Sequence, residues 1–299
     1  MIVSRRLDVS RILRSVGRPL AVLLAYDIAV TALYVVWDQR WVGLENLPMS
    51  LLGSALAVIL GLRNNTAYAR WWEARSLWGS AVNNSRSFAR GVLALLGGSD
   101  AAAARGAALV RLQIAWAHAL RSALRRQDPW SELERLLPAA ALIRVRGAAN
   151  VPAALQAELA RSLAEADRAG RLDSVRLAAL DGTLSELANA QGGLEKIKNT
   201  PLPRQFEQFP RVFVGAYCLL LPIGLVHDLG AATPFGSTVI GFAFYVLDQI
   251  GRDLEDPFEG TVHDVPMSAI TRTIEVDLRQ MLGEQEAPRP LAPVNGVLW

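Results

Sequence analysis

Residues 48–78 read PMSLLGSALAVILGLRNNTAYARWWEARSLW, an apolar run that passes into a polar, arginine- and tryptophan-rich segment without an internal proline. The run 49–62 carries no charge and is rich in small residues, which let helices approach each other closely in a membrane. At about 1.5 Å per residue it is about 21 Å long, shorter than a hydrocarbon core of roughly 30 Å. A spanning helix must therefore continue into RNNTAY, whose polar groups must face protein or water rather than lipid. Such a helix suits the lining of a channel.

The composition favours an integral membrane protein. Hydrophobic residues make up 52% of the 299-residue chain and cluster in long runs. The formal net charge of +3 is too small for a nucleic-acid footprint. The single cysteine, Cys218, lies in an apolar run and is expected to be buried. Because the sequence shows no phosphate loop, metal-spaced cluster or nucleophile motif, neither an enzyme nor a cofactor is predicted.

Four membrane spans are predicted, at 20–37, 49–66, 210–227 and 233–250. Lysine and arginine are absent from 212–251 but frequent before and after that stretch. The positive-inside rule then places both termini and a cytoplasmic helical region, 67–205, on the inner side of a bacterial inner membrane. A C-terminal tail, 251–299, completes what is predicted to be a single unit, 1–299.

Two polar features fall in or near the first span. Residues 1–18 alternate apolar residues with arginines, which favours an amphipathic segment at the inner surface over a flexible basic tail; the arginines are Arg5, Arg6, Arg11, Arg14 and Arg18. Asp27 lies inside the span, where a carboxylate is either functional or a hydrogen-bonded contact to another helix. The second interpretation is favoured.

The middle and tail segments are expected to be helical over 63–96, 101–127, 131–137, 151–169, 174–197 and 265–282. Asp100 is expected to cap one of these helices, and His118 to be a satisfied core residue. The two prolines of 199–203, NTPLP, must interrupt the helix before the chain returns to the membrane. The proline-rich end, 283–299, is expected to be mobile, with Trp299 as a possible docking residue.

Several long motifs resemble the bacterial branch of the bestrophin family, pentameric ion channels. They are RNNTAYARWWEAR at 63–75, followed by LW and NNSR, then NTPLP at 199–203, CLLLP at 218–222, LEDPFEGTVHDVP at 254–266 and IEVDLRQM at 274–281. The resemblance covers most of the chain. It implies an all-α homopentamer with four spans in each subunit and a helical cytoplasmic domain.

The resemblance also implies where the pore narrows. Three residues one helical turn apart would form the neck, and alignment from Arg70 places them at Ser54, Val58 and Leu62. Ser54 departs from the bulky apolar residue of the family, so the neck is expected to be wider there. A second, cytosolic constriction falls on Leu202. The remaining polar and aromatic residues would hold the pore helix in place; they are Arg63, Asn64, Asn65, Arg70, Trp71 and Trp72.

The expected function is a channel for small monovalent ions, either a chloride-type anion or a sodium-type cation. The alternative is a membrane-anchored signalling or scaffold protein without ion flux, and a secondary transporter is disfavoured because no internal repeat is visible. Acidic residues are dense over 248–264, but Pro257-Phe258 is followed by EGTVHD instead of the acidic run that grips calcium in animal bestrophins. No metal site is therefore predicted, and these carboxylates are expected to cap helices or pair with arginines.

Overall fold

The computed structural model describes residues 1–3, 9–44, 47–96 and 99–299, without the side chains of residues 9 and 11–13. Within these ranges the chain is all helical, with isolated β-bridges and no strand, which confirms the predicted fold class. The helices are α1 Val9–Val35, α2 Met49–Leu95, α3 Asp100–Leu124, α4 Trp130–Leu136, α5 Ala139–Val145, α6 Val151–Arg168, α7 Ser174–Asn199, α8 Arg204–Leu229, α9 Thr233–Glu255 and α10 Met267–Met281.

The chain forms two compact units. The apolar-helix unit comprises Ser4–Trp71 and Pro201–Asp256. The polar-helix unit comprises Met1–Val3, Trp72–Thr200 and Pro257–Trp299. As predicted, α2 is one continuous helix of 47 residues, and it contributes its first part to one unit and its second part to the other.

The apolar-helix unit packs α1, α8, α9 and the first part of α2 around an apolar core. Leu60 of α2 is fully buried there together with Val214 and Leu221 of α8. Gly53 shows why small residues occur in α2, because a Cβ at that position would lie 2.6 Å from the hydroxyl oxygen of Tyr217. The close helix approach predicted from the small residues is confirmed at this point.

Asp27 makes the structural contact that was favoured for it. It is fully buried on α1, and its two carboxylate oxygens accept hydrogen bonds from Ser237 Oγ at 3.0 Å and Thr238 Oγ1 at 2.9 Å on α9. Because a buried polar group must be satisfied inside an apolar environment, this contact fixes α1 against α9.

Two stretches of the described residues are long and apolar enough to cross a membrane, Arg14–Val35 and Arg204–Glu255, and the second contains both α8 and α9. The predicted span 49–66 is not among them, because Arg63 and two asparagines interrupt its apolar run. The helix of the first predicted span begins earlier than expected, since α1 runs without interruption from Val9 through Pro19. Arg5 and Arg6 of the predicted amphipathic segment lie outside the described residues.

The polar-helix unit is built around α3, which packs against α4, α6, α7 and α10. Its largest fully buried side chains include Trp116 and Leu120, two members of the apolar stripe that predicted this helix. One helix was missed, the seven-residue α5, which is too short for its periodicity to stand out. The capping prediction was wrong by one position, because Ser99 Oγ accepts from the Ala102 backbone amide at 3.3 Å and Asp100 is the first helical residue.

The C-terminal end was expected to be mobile, but its last residues contact distant parts of the polar-helix unit. The Trp299 carbonyl accepts a hydrogen bond of 2.6 Å from the Ala269 amide, which confirms that Trp299 docks. Ile2 pairs with Val297 in an antiparallel bridge, and Val297 is buried. Proline content alone did not reveal these contacts, because they join residues that are far apart in the sequence.

Candidate ion pathway

The predicted neck residues lie on one exposed face of α2. Val58 and Leu62 expose 62% and 64% of their surface, and Ser54 is also exposed. Leu56 and Leu60, on the opposite face, expose 4% and 0%. In an α-helix of about 100° per residue, the exposed residues form a stripe along the axis. An apolar stripe of this kind contacts lipid, another protein surface or an apolar pore.

Two details refine this stripe. The hydroxyl of Ser54 donates a hydrogen bond to the Ser50 carbonyl at 2.7 Å, so its donor is satisfied by the backbone of its own helix. Ile59, next to the buried Leu60, is 36% exposed and lines a groove of about 200 Å³ with Phe213 and Tyr217 of α8. Ile59 therefore lies at the margin between the buried and the exposed face.

Arg63 ends the apolar run and is buried by ion pairs. Its guanidinium lies 2.5 Å from Asp248 Oδ1 and 3.5 Å from Glu255 Oε2, and it is 2% exposed. Asp248 is also paired through Oδ2 with Arg252 Nη1 at 3.1 Å. Gly251 leaves room for this arrangement, because a Cβ there would collide with the side chain of Asn64. The charge that begins the polar segment is thus paired within the protein, as the sequence required.

Asn64 and Arg70 bind the carbonyls of α9. Asn64 Nδ2 donates to the Leu247 carbonyl at 2.9 Å, and Arg70 Nε donates to the Glu255 carbonyl at 2.9 Å. Helix C-termini leave their last carbonyls without partners in the helix, and a guanidinium satisfies them while complementing the helix dipole. Both residues therefore hold α9 against α2, and their role in positioning a pore helix stays a prediction.

The tryptophans of α2 divide between buried and exposed positions. Trp78 is fully buried, Trp71 is half-buried and stacks on Tyr68 with ring centroids 6.4 Å apart, and Trp72 is 55% exposed. Asn65 is exposed next to the apolar stripe. Trp78 is therefore a packing residue, and the role of Trp71 and Trp72 in holding the pore helix stays a prediction.

Leu202 lies in the non-helical segment between α7 and α8 and is half-buried. The prolines on either side of it prevent helix formation, as predicted. A constriction at this position requires several copies of the chain, so the role of Leu202 stays a prediction.

The acidic residues of the tail are paired or act as local caps. Glu259 accepts from Lys198 Nζ at 2.5 Å, and Asp264 accepts from the Gly260 amide at 2.6 Å and from the Thr261 hydroxyl. Among the described residues, no group of three or more acidic, histidine or cysteine side chains is arranged to hold a metal ion. Indifference to calcium stays a prediction.

His118 is buried among carboxylates in the polar-helix unit. Its Nε2 lies 3.0 Å from Glu275 Oε2, and its Nδ1 lies 3.3 Å from Glu132 Oε2 without hydrogen-bond geometry. Burial acts to lower the pKa of His118, but the two carboxylates outweigh it and leave the pKa above its ordinary value. The charged groups around this site also include Arg121, Arg135, Arg272 and Arg279.

The same contacts act on the carboxylates. The neighbouring His118, followed by Arg121, lowers the pKa of Glu132 to about 2. Burial acts to raise the pKa of Glu275, yet His118 and the surrounding arginines bring it down to about 2. His118 was expected to be a buried histidine with hydrogen-bond partners, and this is confirmed for its Nε2 atom.

The pairing of Arg63 with Asp248 and Glu255 was not foreseen residue by residue. The sequence did offer one indication of a buried ion pair. Asp248 lies at the end of the fourth predicted span, and an ionisable group at membrane depth needs a partner. Sequence spacing alone does not say which of the many arginines supplies it.

Apolar helices in one unit, an exposed apolar stripe on α2 and charges buried in pairs define a multi-helix membrane protein. The chain belongs to the bestrophin family: the family model described as Bacterial/Fungal Bestrophin protein matches residues 4–280.

Similar proteins agree with this assignment. Voltage-dependent anion channel-forming protein RSc3414 of Ralstonia nicotianae is 37% identical over 265 residues, covering 89% of this chain and 86% of that protein. Voltage-dependent anion channel-forming protein YneE of Escherichia coli is 37% identical over 283 residues, covering 94% and 91%. The crystal structure of a bacterial bestrophin homolog from Klebsiella pneumoniae matches with a TM-score of 0.83 at 32% identity, covering 89% of this chain and 98% of the other.

Proposed function

We propose that this protein is a ring-shaped channel that conducts small anions, of the chloride type, across the bacterial inner membrane. The observation that carries the pore assignment is the exposure of Val58 and Leu62 on α2 while Leu60 between them is buried. The choice of anions over cations is supported by the names of two relatives that are 37% identical, both called anion channel-forming.

A pore along α2 requires several copies of the chain. One subunit presents only one exposed stripe, and the polar groups that follow it are costly against lipid. A ring turns these stripes toward a common axis, and the family resemblance implies five subunits. Mass measurement in mild detergent tests this; a monodisperse monomer that still conducts would contradict it.

In the ring, Val58 and Leu62 form two stacked apolar girdles with Ser54 one turn away. Water inside such a girdle loses hydrogen bonds and an ion loses hydration, with no polar group in return. The girdle therefore blocks ions when narrow and conducts when it widens. Leu202 is assigned to a second constriction on the cytosolic side.

The proposed membrane placement follows the charge pattern. Four spans, 20–37, 49–66, 210–227 and 233–250, cross the membrane, and both termini lie in the cytoplasm because arginines crowd the segments outside the last two spans. The buried partners of Arg63 let the second span carry its charge to the membrane edge.

The experiment is a reversal-potential measurement on purified protein in planar bilayers under a potassium chloride gradient. The proposal predicts a reversal potential close to the chloride equilibrium potential. A value close to the potassium equilibrium potential would show a cation channel. Absence of current in protein that is folded and assembled would favour the scaffold alternative.

A further inference from the structure

The polar-helix unit contains a cavity of about 340 Å³ that opens to solvent. It lies where the C-terminal end of α3, the turn that follows it and the C-terminal end of α7 come together. Its volume falls within the range of small-molecule sites.

The cavity has an apolar wall. Ala119, Ala123 and Leu124 of α3 form one side, and Pro129 and Val151 extend it. These side chains offer an aliphatic ligand group surface to bury, at about 25 cal/mol per Å².

Arg126 supplies the positive charge, from an unusual backbone position. Its φ is +53°, and the Gln127 amide donates to the Ser122 carbonyl at 2.8 Å, which closes the end of α3. Glycine is favoured at such a helix end, because other residues strain there. Among the described residues the other non-glycine positions with positive φ are Asp38 and Asn295, types that tolerate it better.

Arg126 is exposed, and its guanidinium has no hydrogen-bond or ion-pair partner within the described residues, whereas Arg121 of α3 is paired with Glu132. A residue that strains the backbone and leaves its charge unpaired beside a cavity is a candidate for ligand binding. Lys198 also lines the cavity, but Glu259 already holds its ammonium group at 2.5 Å and its side chain is 8% exposed.

Glu195 supplies the negative charge. Its Oε1 accepts from Asn150 Nδ2 at 2.9 Å and from Gln191 Nε2 at 2.7 Å, so that the carboxylate is fixed in place. The cavity thus presents one guanidinium, one immobilised carboxylate and an aliphatic wall. A ligand with a single charge would be attracted by one of these groups and repelled by the other.

We propose that this cavity binds a small zwitterion, an α-amino acid with an aliphatic side chain. Its carboxylate pairs with Arg126, its ammonium group with Glu195, and its side chain packs on the α3 wall. Charge-assisted hydrogen bonds of this kind are stronger than neutral ones and demand both charges on the ligand.

The test is equilibrium binding of radiolabelled L-leucine to the purified full-length chain, with competition by two analogues. 4-Methylpentanoate lacks the ammonium group and 3-methylbutylamine lacks the carboxylate. Leucine is expected to bind saturably, and each analogue to compete at least about tenfold more weakly. Absence of saturable binding at millimolar leucine would overturn the proposal, and so would equal competition by either analogue.

Variants separate binding from folding. Arg126→Gly removes the guanidinium and relieves the positive φ, so the unfolding midpoint should stay the same or rise while affinity falls about tenfold or more. Glu195→Gln should weaken binding to a similar extent. Arg168→Gln, an exposed arginine on α6 that does not line the cavity, is the matched control and should leave affinity unchanged. Unchanged binding in Arg126→Gly would overturn the assignment.

Discussion

The exposed and buried faces of α2 show how one helix serves two purposes. Val58 and Leu62 are about two-thirds exposed, whereas Leu60 is enclosed by α8 and Arg63 is enclosed by carboxylates of α9. All four residues lie within five positions of one another, so their local sequence differs little. The difference teaches that neighbouring residues of one helix can have opposite surroundings, so single substitutions can test packing and the proposed conduction separately.

The largest effect is expected at Arg63. Arg63→Met keeps most of the side-chain volume but leaves Asp248 and Glu255 buried with less compensation, and we expect a loss of about 3–5 kcal/mol in the free energy of unfolding. Denaturant titration in mixed micelles measures it.

The matched control for Arg63 is Arg252→Ala, which removes a 31% exposed partner of the same Asp248. Its cost should be about 1 kcal/mol or less, because solvent reaches and screens the partly exposed Arg252 and because Asp248 keeps Arg63 as a partner. Equal costs for the two variants would mean that burial of Arg63 does not set its contribution.

The next effect compares two truncations on opposite faces. Leu60→Ala should cost about 2–5 kcal/mol, because it opens a cavity in the core of the apolar-helix unit. Val58→Ala, two residues away, should change the free energy of unfolding by about 0.5 kcal/mol or less. The same denaturation experiment measures both. A larger loss for Val58→Ala than for Leu60→Ala would reverse the assignment of the two faces.

Much of this picture was available from the sequence. The continuous α2 and the break at 199–203 follow from local rules of periodicity, proline geometry and hydropathy, whereas the side of the helix that carries Val58 came from the family resemblance. The choice of Asp248 as the partner of Arg63 and the docking of Trp299 depend on contacts between residues far apart in the chain. Local patterns do not encode such pairs, so the structure was needed to identify them.

A smaller effect is expected at His118, whose protonation makes the free energy of unfolding depend on pH. His118 is buried beside two carboxylates, and its pKa is raised in the folded protein. Its contribution to stability is complete below its unfolded pKa and is lost as the pH rises through the folded pKa. Glu132 and Glu275, with pKa values lowered to about 2, contribute above their ordinary pKa and lose that contribution as the pH falls toward 2.

We therefore expect the unfolding midpoint to fall as the pH is raised from neutral to alkaline. His118→Gln should remove most of this alkaline dependence and cost about 1.5–3 kcal/mol at neutral pH, the size of a hydrogen bond to a charged group. Thermal unfolding across the pH range provides the measurement. An unchanged alkaline slope in His118→Gln would assign the dependence to another group.

The central claim is that the exposed stripe of α2 lines the ion pathway. Chloride flux into liposomes, measured for alanine variants at Val58, Leu62, Ile59 and Leu60 with equal amounts of assembled protein, tests it most directly. Val58→Ala and Leu62→Ala should raise the flux because a wider girdle wets more easily, and Leu62→Ser should raise it at least as much. Ile59→Ala and Leu60→Ala should lower stability without raising the flux. Raised flux in the Ile59 and Leu60 variants, with no change in the Val58 and Leu62 variants, would contradict the claim.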